Sequence, residues 1–238
     1  MELRQLTTDY ERNIFAACLA KTRATRGVGF QENDQSGLGK AHIAFGNVYA
    51  IFENDGDSPE QMVGGFIVHD LATLPQSCHK PDLSHLPPRS VLEGSELWSA
   101  TPGLGRIAAS AAAAVTGILQ AKAILVYPML KPVDLSAFYG RMNFTKACEP
   151  IKWPYMKTIT GEDIWAQPMI LEGEKLEDYV RSGFEFLFAS GTEHRGLRLA
   201  GIAATRASAA VPRADHPLEV RQPSSSQGGE ERNGTASH

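Results

Sequence analysis

The chain has 238 residues, 42% of them apolar, with 23 Lys plus Arg against 27 Asp plus Glu and a formal charge of −4. It can bury a sizeable core, and general nucleic-acid binding is disfavoured because no basic excess is present to neutralise a phosphate backbone. Cys18, Cys78 and Cys148 stand far apart and in no CxxC spacing, which argues against a disulfide framework and a thiolate zinc site and for a reducing, cytoplasmic setting.

In chain order, the opening MELRQLTTDYERN lacks the apolar stretch of a secretory leader, and Glu2 to Leu6 reads as a first strand. Thr8 and Glu11 have capping-box spacing ahead of a helix that carries Ile14, Phe15, Cys18 and Leu19 on one face. Thr25 to Lys40 reads as loop. Val48 to Phe52 and Met62 to Val68 flank an Asn-Asp-Gly turn signal and predict an antiparallel hairpin. Residues 71 to 90 hold four prolines and predict a long irregular excursion, of a length that usually serves a site.

Val91 to Ala100 reads as a strand, TPGLG as a break, and Ile107, Ala111, Val115 and Ile118 recur at helical spacing. This helix is too rich in alanine, and too soon interrupted by Lys122, to span a membrane. Lys122 to Met129 reads as a strand, Asp134 as the cap of a short helix with Phe138 and Tyr139, and Phe144 to Ile151 and Tyr155 to Ile159 as two last strands. The predicted order is β-α-β-β-β-α-β-α-β-β, an α/β domain over residues 1–160. Residues 161–202 are expected to form a helical extension packed on that domain, and 203–238, poor in apolar side chains, a disordered tail.

The junction at Ser99 to Ser110 carries the chemistry. Gly103 and Gly105 flank Leu104 ahead of an apolar helix, so the backbone can approach a ligand and the first-turn amides can hold an anion such as a pyrophosphate. Gly103, Gly105 and Ala108 also satisfy G-x-G-x-x-A, but a dinucleotide turn wants an acidic residue about 20 positions on, where Tyr127-Pro128-Met129 stands. An antiparallel hairpin before the turn argues further against that rival. Cys78, His79 and His85 lie close together but match no zinc pattern, and no metal is expected.

Read with the later segment Ala137-Phe-Tyr-Gly-Arg-Met-Asn-Phe144, the turn resembles that of the GNAT acyltransferase superfamily. There a Q/R-x-x-G-x-G/A turn holds the pyrophosphate of coenzyme A and a later helix ends in a pattern like FYxxxGF. Ala100 stands at the usual Gln or Arg, and Asn143 at the usual Gly, a change that a left-handed helix end tolerates. The excursion leading to Glu96-Leu97-Trp98 and the later EPIKWPY segment also look like the acyl-homoserine-lactone and N-acyl amino acid synthase branch, whose members often show ELSR where this chain has ELWS.

The resemblance implies a mostly antiparallel mixed sheet flanked by helices, and acyl transfer from acetyl-CoA, a longer acyl-CoA or an acyl carrier protein to a small-molecule amine. The thioester would lie between the diverging strands Val91–Ala100 and Lys122–Met129. Glu96 is the expected base and Tyr139 the expected acid. Leu104 to Ile107, with Arg106 among them, are the expected phosphate cradle, and a backbone amide near Trp98 or Ser99 the oxyanion donor. Glu93, three residues from Glu96, is expected on the opposite face, and His69 is a candidate second base. The alternative is a non-catalytic thioester-binding or protein-interaction module.

Overall fold

The computed structural model describes residues 1–25, 30–32, 43–44, 46–53, 61–73, 81–87, 89–188 and 198–200. The tail expected at 203–238 lies outside the described residues, as do Cys78 and His79. The strands are β1 (Glu2–Leu6), β2 (Phe30–Glu32), β3 (Asn47–Phe52), β4 (Met62–Asp70), β5 (Val91–Ser99), β6 (Ala123–Val126), β7 (Met129–Lys131), β8 (Thr145–Lys146), β9 (Ile151–Thr158), β10 (Asp163–Ala166), β11 (Met169–Glu172) and β12 (Arg198–Ala200). The helices are α1 (Asp9–Thr25), α2 (Leu104–Ile118), α3 (Ser136–Gly140) and α4 (Gly173–Phe188).

The main sheet runs β12-β1-β3-β4-β5-β6-β11-β8, and a smaller one runs β2-β9-β10-β7. β1, β3, β4 and β5 are antiparallel neighbours, whereas β5 and β6 are parallel, the arrangement a helical crossover through α2 requires. This is the predicted α/β fold, a mixed and mostly antiparallel sheet flanked by helices.

α1 begins where the sequence places it: Glu11 N–H donates to Thr8 Oγ1 at 3.2 Å while the Glu11 carboxylate accepts from Thr8 N–H at 3.2 Å, the reciprocal box that satisfies first-turn donors. Its apolar face buries Phe15 and Leu19 against Val48, Ile67 and Trp98. The other face of the sheet is covered by α2 and α4. A Cβ on Gly183 would meet Ala113 Cβ at 2.6 Å, and one on Gly117 would meet Val180 at 2.5 Å, so the small residues set how closely these two helices approach.

Four expectations are corrected. The run Lys122–Met129 is two strands, because Pro128 cannot donate to a ladder and the chain passes at that point from the main sheet to the small one. Phe144–Ile151 and Tyr155–Ile159 are instead the two-residue β8 and a continuous β9. Pro154 fits within β9 because it falls in the irregular stretch between Lys152 and Lys157, its paired positions against β10. The stretch Thr25–Lys40 contains β2, which pairs with β9. Finally, the segment after residue 160 is no appendage: β11 lies in the main sheet between β6 and β8.

Candidate active site

The parallel pairing of β5 with β6 runs from Val91 opposite Ala123 to Gly94 opposite Val126 and stops there. β5 continues to Ser99 with its other edge still held by β4, while β6 ends and the chain turns away at Tyr127-Pro128. Among the described residues no strand lies beside that edge of Ser95–Ser99, and a wedge opens at that point in the sheet.

The same stretch carries a β-bulge. Ser95 is opposite Ile67 and Trp98 is opposite Gly65, so Glu96 and Leu97 together face Phe66, and Glu96 adopts a φ of 55°. A positive φ at a non-glycine residue is strained and is held by its surroundings. The bulge also corrects the alternation expected for this strand. Ser95 shares the face of Ile67, which packs with α1, and Glu93 lies on that face too, opposite the buried His69. Glu96 nonetheless reaches the same side, where its carboxylate is ion-paired with the Arg23 guanidinium from the last turn of α1. The extra residue shifts the alternation, so Glu93 and Glu96 do not point apart.

Tyr139 approaches from the opposite face. It stands on α3, edge-on to Phe144 with ring centres 5.5 Å apart, and packs against the cluster of Ile124, Val126 and Leu176. Burial, and after it the negative charge of Glu96, push its phenol up to about 12. Glu96 and Tyr139 are thus electrostatic neighbours across the wedge, although they lie far apart in sequence and on opposite sides of the sheet. Behind Tyr139 stands Tyr179 of α4, whose hydroxyl donates to Ala109 O at 2.9 Å and whose pKa is raised by burial. The chain reverses after α3 at Asn143, with a φ of 67°, the left-handed conformation that Asn accepts at such an end.

Beside the wedge, α2 starts at Gly103, with a φ of 91° and no side chain capping the helix. Leu104 N–H turns back to Thr101 O at 3.3 Å, and the Ile107 amide is the first whose acceptor lies within the helix. The open amides are those of Gly105 and Arg106. A Cβ on Gly103 would meet nothing within 4 Å, and one on Gly105 only Ser99 Oγ at 3.7 Å, so there is room for a ligand against both. Leu104 and Ile107 turn their side chains to the core. Arg106 lays its guanidinium over the Phe186 ring of α4, 4.3 Å from its centre, so what it offers in the cradle is its amide.

Trp98 is buried at 5% exposure and edge-on to Phe15 of α1 with ring centres 5.7 Å apart. Its side chain belongs to the α1-side core. His85 is drawn onto the end of β11, its Nε2 2.9 Å from Glu172 Oε2. Among the described residues no group of three or more His, Cys, Asp or Glu side chains could hold a metal, and no helix is long and apolar enough to cross a membrane.

Sequence reasoning missed Arg23. Nothing near it in the chain marks it, because its partner lies 73 residues away. The bulge was equally hidden, since ELWS carries no glycine to announce a positive φ.

No family model matches the chain, and no curated protein matches it. Solved structures do. The N-acyl amino acid synthase FeeM from uncultured soil microbes matches at 12% identity over 76% of this chain and 98% of that one, with a TM-score of 0.47. A ribosomal-protein-alanine N-acetyltransferase from Brucella melitensis matches at 14% identity over 72% and 99%, with a TM-score of 0.45. The CoA-dependent acyl-homoserine lactone synthase MesI matches at 10% identity over 76% and 94%, with a TM-score of 0.46.

The parallel β5/β6 pair parts beside the glycine turn of α2, as the resemblance in the sequence implies, and the sheet is completed by β11 and β8 beyond the wedge.

Proposed function

We propose that this chain is an N-acyltransferase that moves an acyl group from an acyl-CoA, or an acyl carrier protein, to an amine by direct attack. The observation that carries the proposal is the wedge past Gly94 and Val126, with Glu96 on one side of it and Tyr139 on the other. The open amides of Gly105 and Arg106, at the positive end of α2, suit the pyrophosphate of the donor. The residues fit coenzyme A: two glycines leave the space that a Cβ would otherwise enter, and the helix end lacks a side-chain cap. When bound, the donor supplies the thioester carbonyl.

In the proposed step the amine nitrogen bonds to the acyl carbon and the carbon–sulfur bond breaks. Glu96 accepts the proton shed by the amine, directly or through a water, and Tyr139 donates to the departing sulfur, leaving an amide and a free thiol. The two groups are coupled in the useful direction. The Glu96 charge is one of the two causes that hold the Tyr139 proton, so protonating Glu96 removes that cause and makes the phenol a better acid as sulfur becomes negative. Arg23 orients the carboxylate. Trp98 and Ser99, beside the unpaired edge, are placed to offer a backbone donor to the oxyanion.

A second reading is a thioester-binding module without turnover. The Arg23 guanidinium on Glu96 favours it, because it occupies the carboxylate that an incoming amine would have to reach, and so does Ala100 in place of the Gln or Arg of the turn. Incubation of the full chain with acetyl-CoA and long-chain acyl-CoA, each with a panel of amines, separates the two. Amine-dependent release of free thiol supports the transferase, and thioester binding without release supports the module.

A further inference from the structure

The α1-facing side of the unpaired stretch of β5 carries two polar atoms that the proposed chemistry leaves unused. Trp98 Nε1 and Ser95 Oγ are both buried from solvent and make no hydrogen bond. They lie on one face. Ser95 is opposite Ile67, which packs against α1. Trp98 is opposite Gly65, where an added Cβ would point at Phe15 of α1, 2.6 Å from its ring. Between them in sequence stands Glu96, paired to Arg23 on that same side.

Folded proteins rarely leave buried donors empty, because each gave up a water hydrogen bond on burial. An apolar residue at either position would avoid that cost, so the two atoms mark a place where a hydrogen-bonding guest is expected. An indole N–H donates and cannot accept, which fixes the guest's side of the bond as an acceptor atom. Two residues of strand separate Trp98 from Glu96, about 6 Å, so an amine held at Glu96 reaches Trp98 with an atom a few bonds from its nitrogen.

We propose that this face is the acceptor subsite, where Trp98 Nε1 and Ser95 Oγ hydrogen-bond an oxygen of the acceptor, so that the chain selects amines bearing an oxygen near the nitrogen over plain alkyl amines. The inference rests on the transferase reading for the word acceptor, but the subsite itself is a matter of binding. It would make Trp98 and Ser95 specificity-determining residues, distinct from the proton-transferring pair. An anionic oxygen would also meet the Arg23 guanidinium, and a neutral hydroxyl would use the indole and the serine alone.

The test uses three probes of one shape: leucine, leucinol and isopentylamine, which carry a carboxylate, a hydroxyl and neither. For the full chain, Kd by calorimetry and kcat/KM by thiol release from acyl-CoA are measured for each. Wild-type protein is expected to prefer the oxygen-bearing probes. Trp98→Phe, which keeps the ring packed on Phe15, is expected to cut that preference about five- to tenfold, the loss of one hydrogen bond, and Ser95→Ala to cut it in the same direction. Leucine favoured over leucinol assigns a carboxylate, and the reverse assigns a neutral oxygen.

A preference that survives both substitutions in Kd and in kcat/KM overturns the subsite and leaves the two atoms to buried water. Absence of thiol release with every amine removes the transferase reading, while the calorimetric preference and its loss still decide the subsite. Ser95→Ala removes one atom only and keeps the test open should Trp98→Phe fail to fold.

Discussion

At the scale of single residues the proposed site rests on two side chains, the charge of Glu96 being one cause that holds the Tyr139 proton. Replacing Tyr139 by Phe removes the donor and keeps the ring against Phe144; turnover is expected to fall about 100-fold or more while donor affinity stays near wild type, as separate kcat and donor Kd measurements would show. Unchanged kcat removes Tyr139 as the acid. Its titration has a definite sign. Tyr49 and Tyr139 are each pushed up to about 12, both chiefly by burial, whereas a solvated tyrosine ionises near ~10. The folded chain therefore holds protons that the unfolded chain releases. The stability tied to these groups is complete below about pH 10 and is lost as pH rises through about 12. Tyrosinate absorbance followed with pH should show late-titrating phenols in wild type and one fewer in Tyr139→Phe. Glu96 and Tyr139 are both singled out by the sequence, and their roles are those of the proposal. Arg23, however, could not be linked to Glu96, because an ion pair across 73 residues leaves no local signature.

At the scale of elements, the strand-turn-helix junction and the α2/α4 contact make opposite demands on glycine. Gly105 faces open space, so Gly105→Glu should fold normally yet weaken acyl-CoA binding about tenfold or more, since its carboxylate would sit where the anion is held; an unaltered donor Kd counts against the cradle. Gly183 faces a helix. A methyl group there meets Ala113 and the Ser110 carbonyl, the latter at 2.9 Å. Gly183→Ala should cost about 1–3 kcal/mol, read as a lowered thermal midpoint. The glycine turn and the alanine-rich helix were plain in the sequence because they are local patterns. The bulge at Glu96 was not, since it arises where β5 must stay in register with β4 on one edge while losing β6 on the other. That difference overturned the expectation that Glu93 and Glu96 face opposite ways.

For the whole molecule, the position of β11 decides where the fold ends. A chain stopped after Thr160 would lose the strand between β6 and β8 and the helix covering α2, leaving a sheet edge and the apolar cluster of Ile124, Val126 and Phe144 open to water. It is expected not to fold, with loss of a cooperative melt and of compact elution on gel filtration, whereas an independent domain over 1–160 would keep both. The sequence shows the segment after 160 as a helical extension packed on a finished domain, because its short apolar run ahead of the helix carries no mark of the strands it pairs with. Which strand they pair with depends on contacts that sequence spacing does not encode.

The first strand, the capping box of α1, the hairpin of β3 and β4, and the two glycines ahead of α2 follow from local chemistry: side-chain period, turn residues and backbone freedom act over a few neighbours, and neighbours are what a sequence displays. Two features were decided only in three dimensions: the bulge that turns Glu96 to the side of Arg23, and the influence of the Glu96 charge on Tyr139. Each depends on where a strand loses its partner, a long-range event set by how the whole sheet packs.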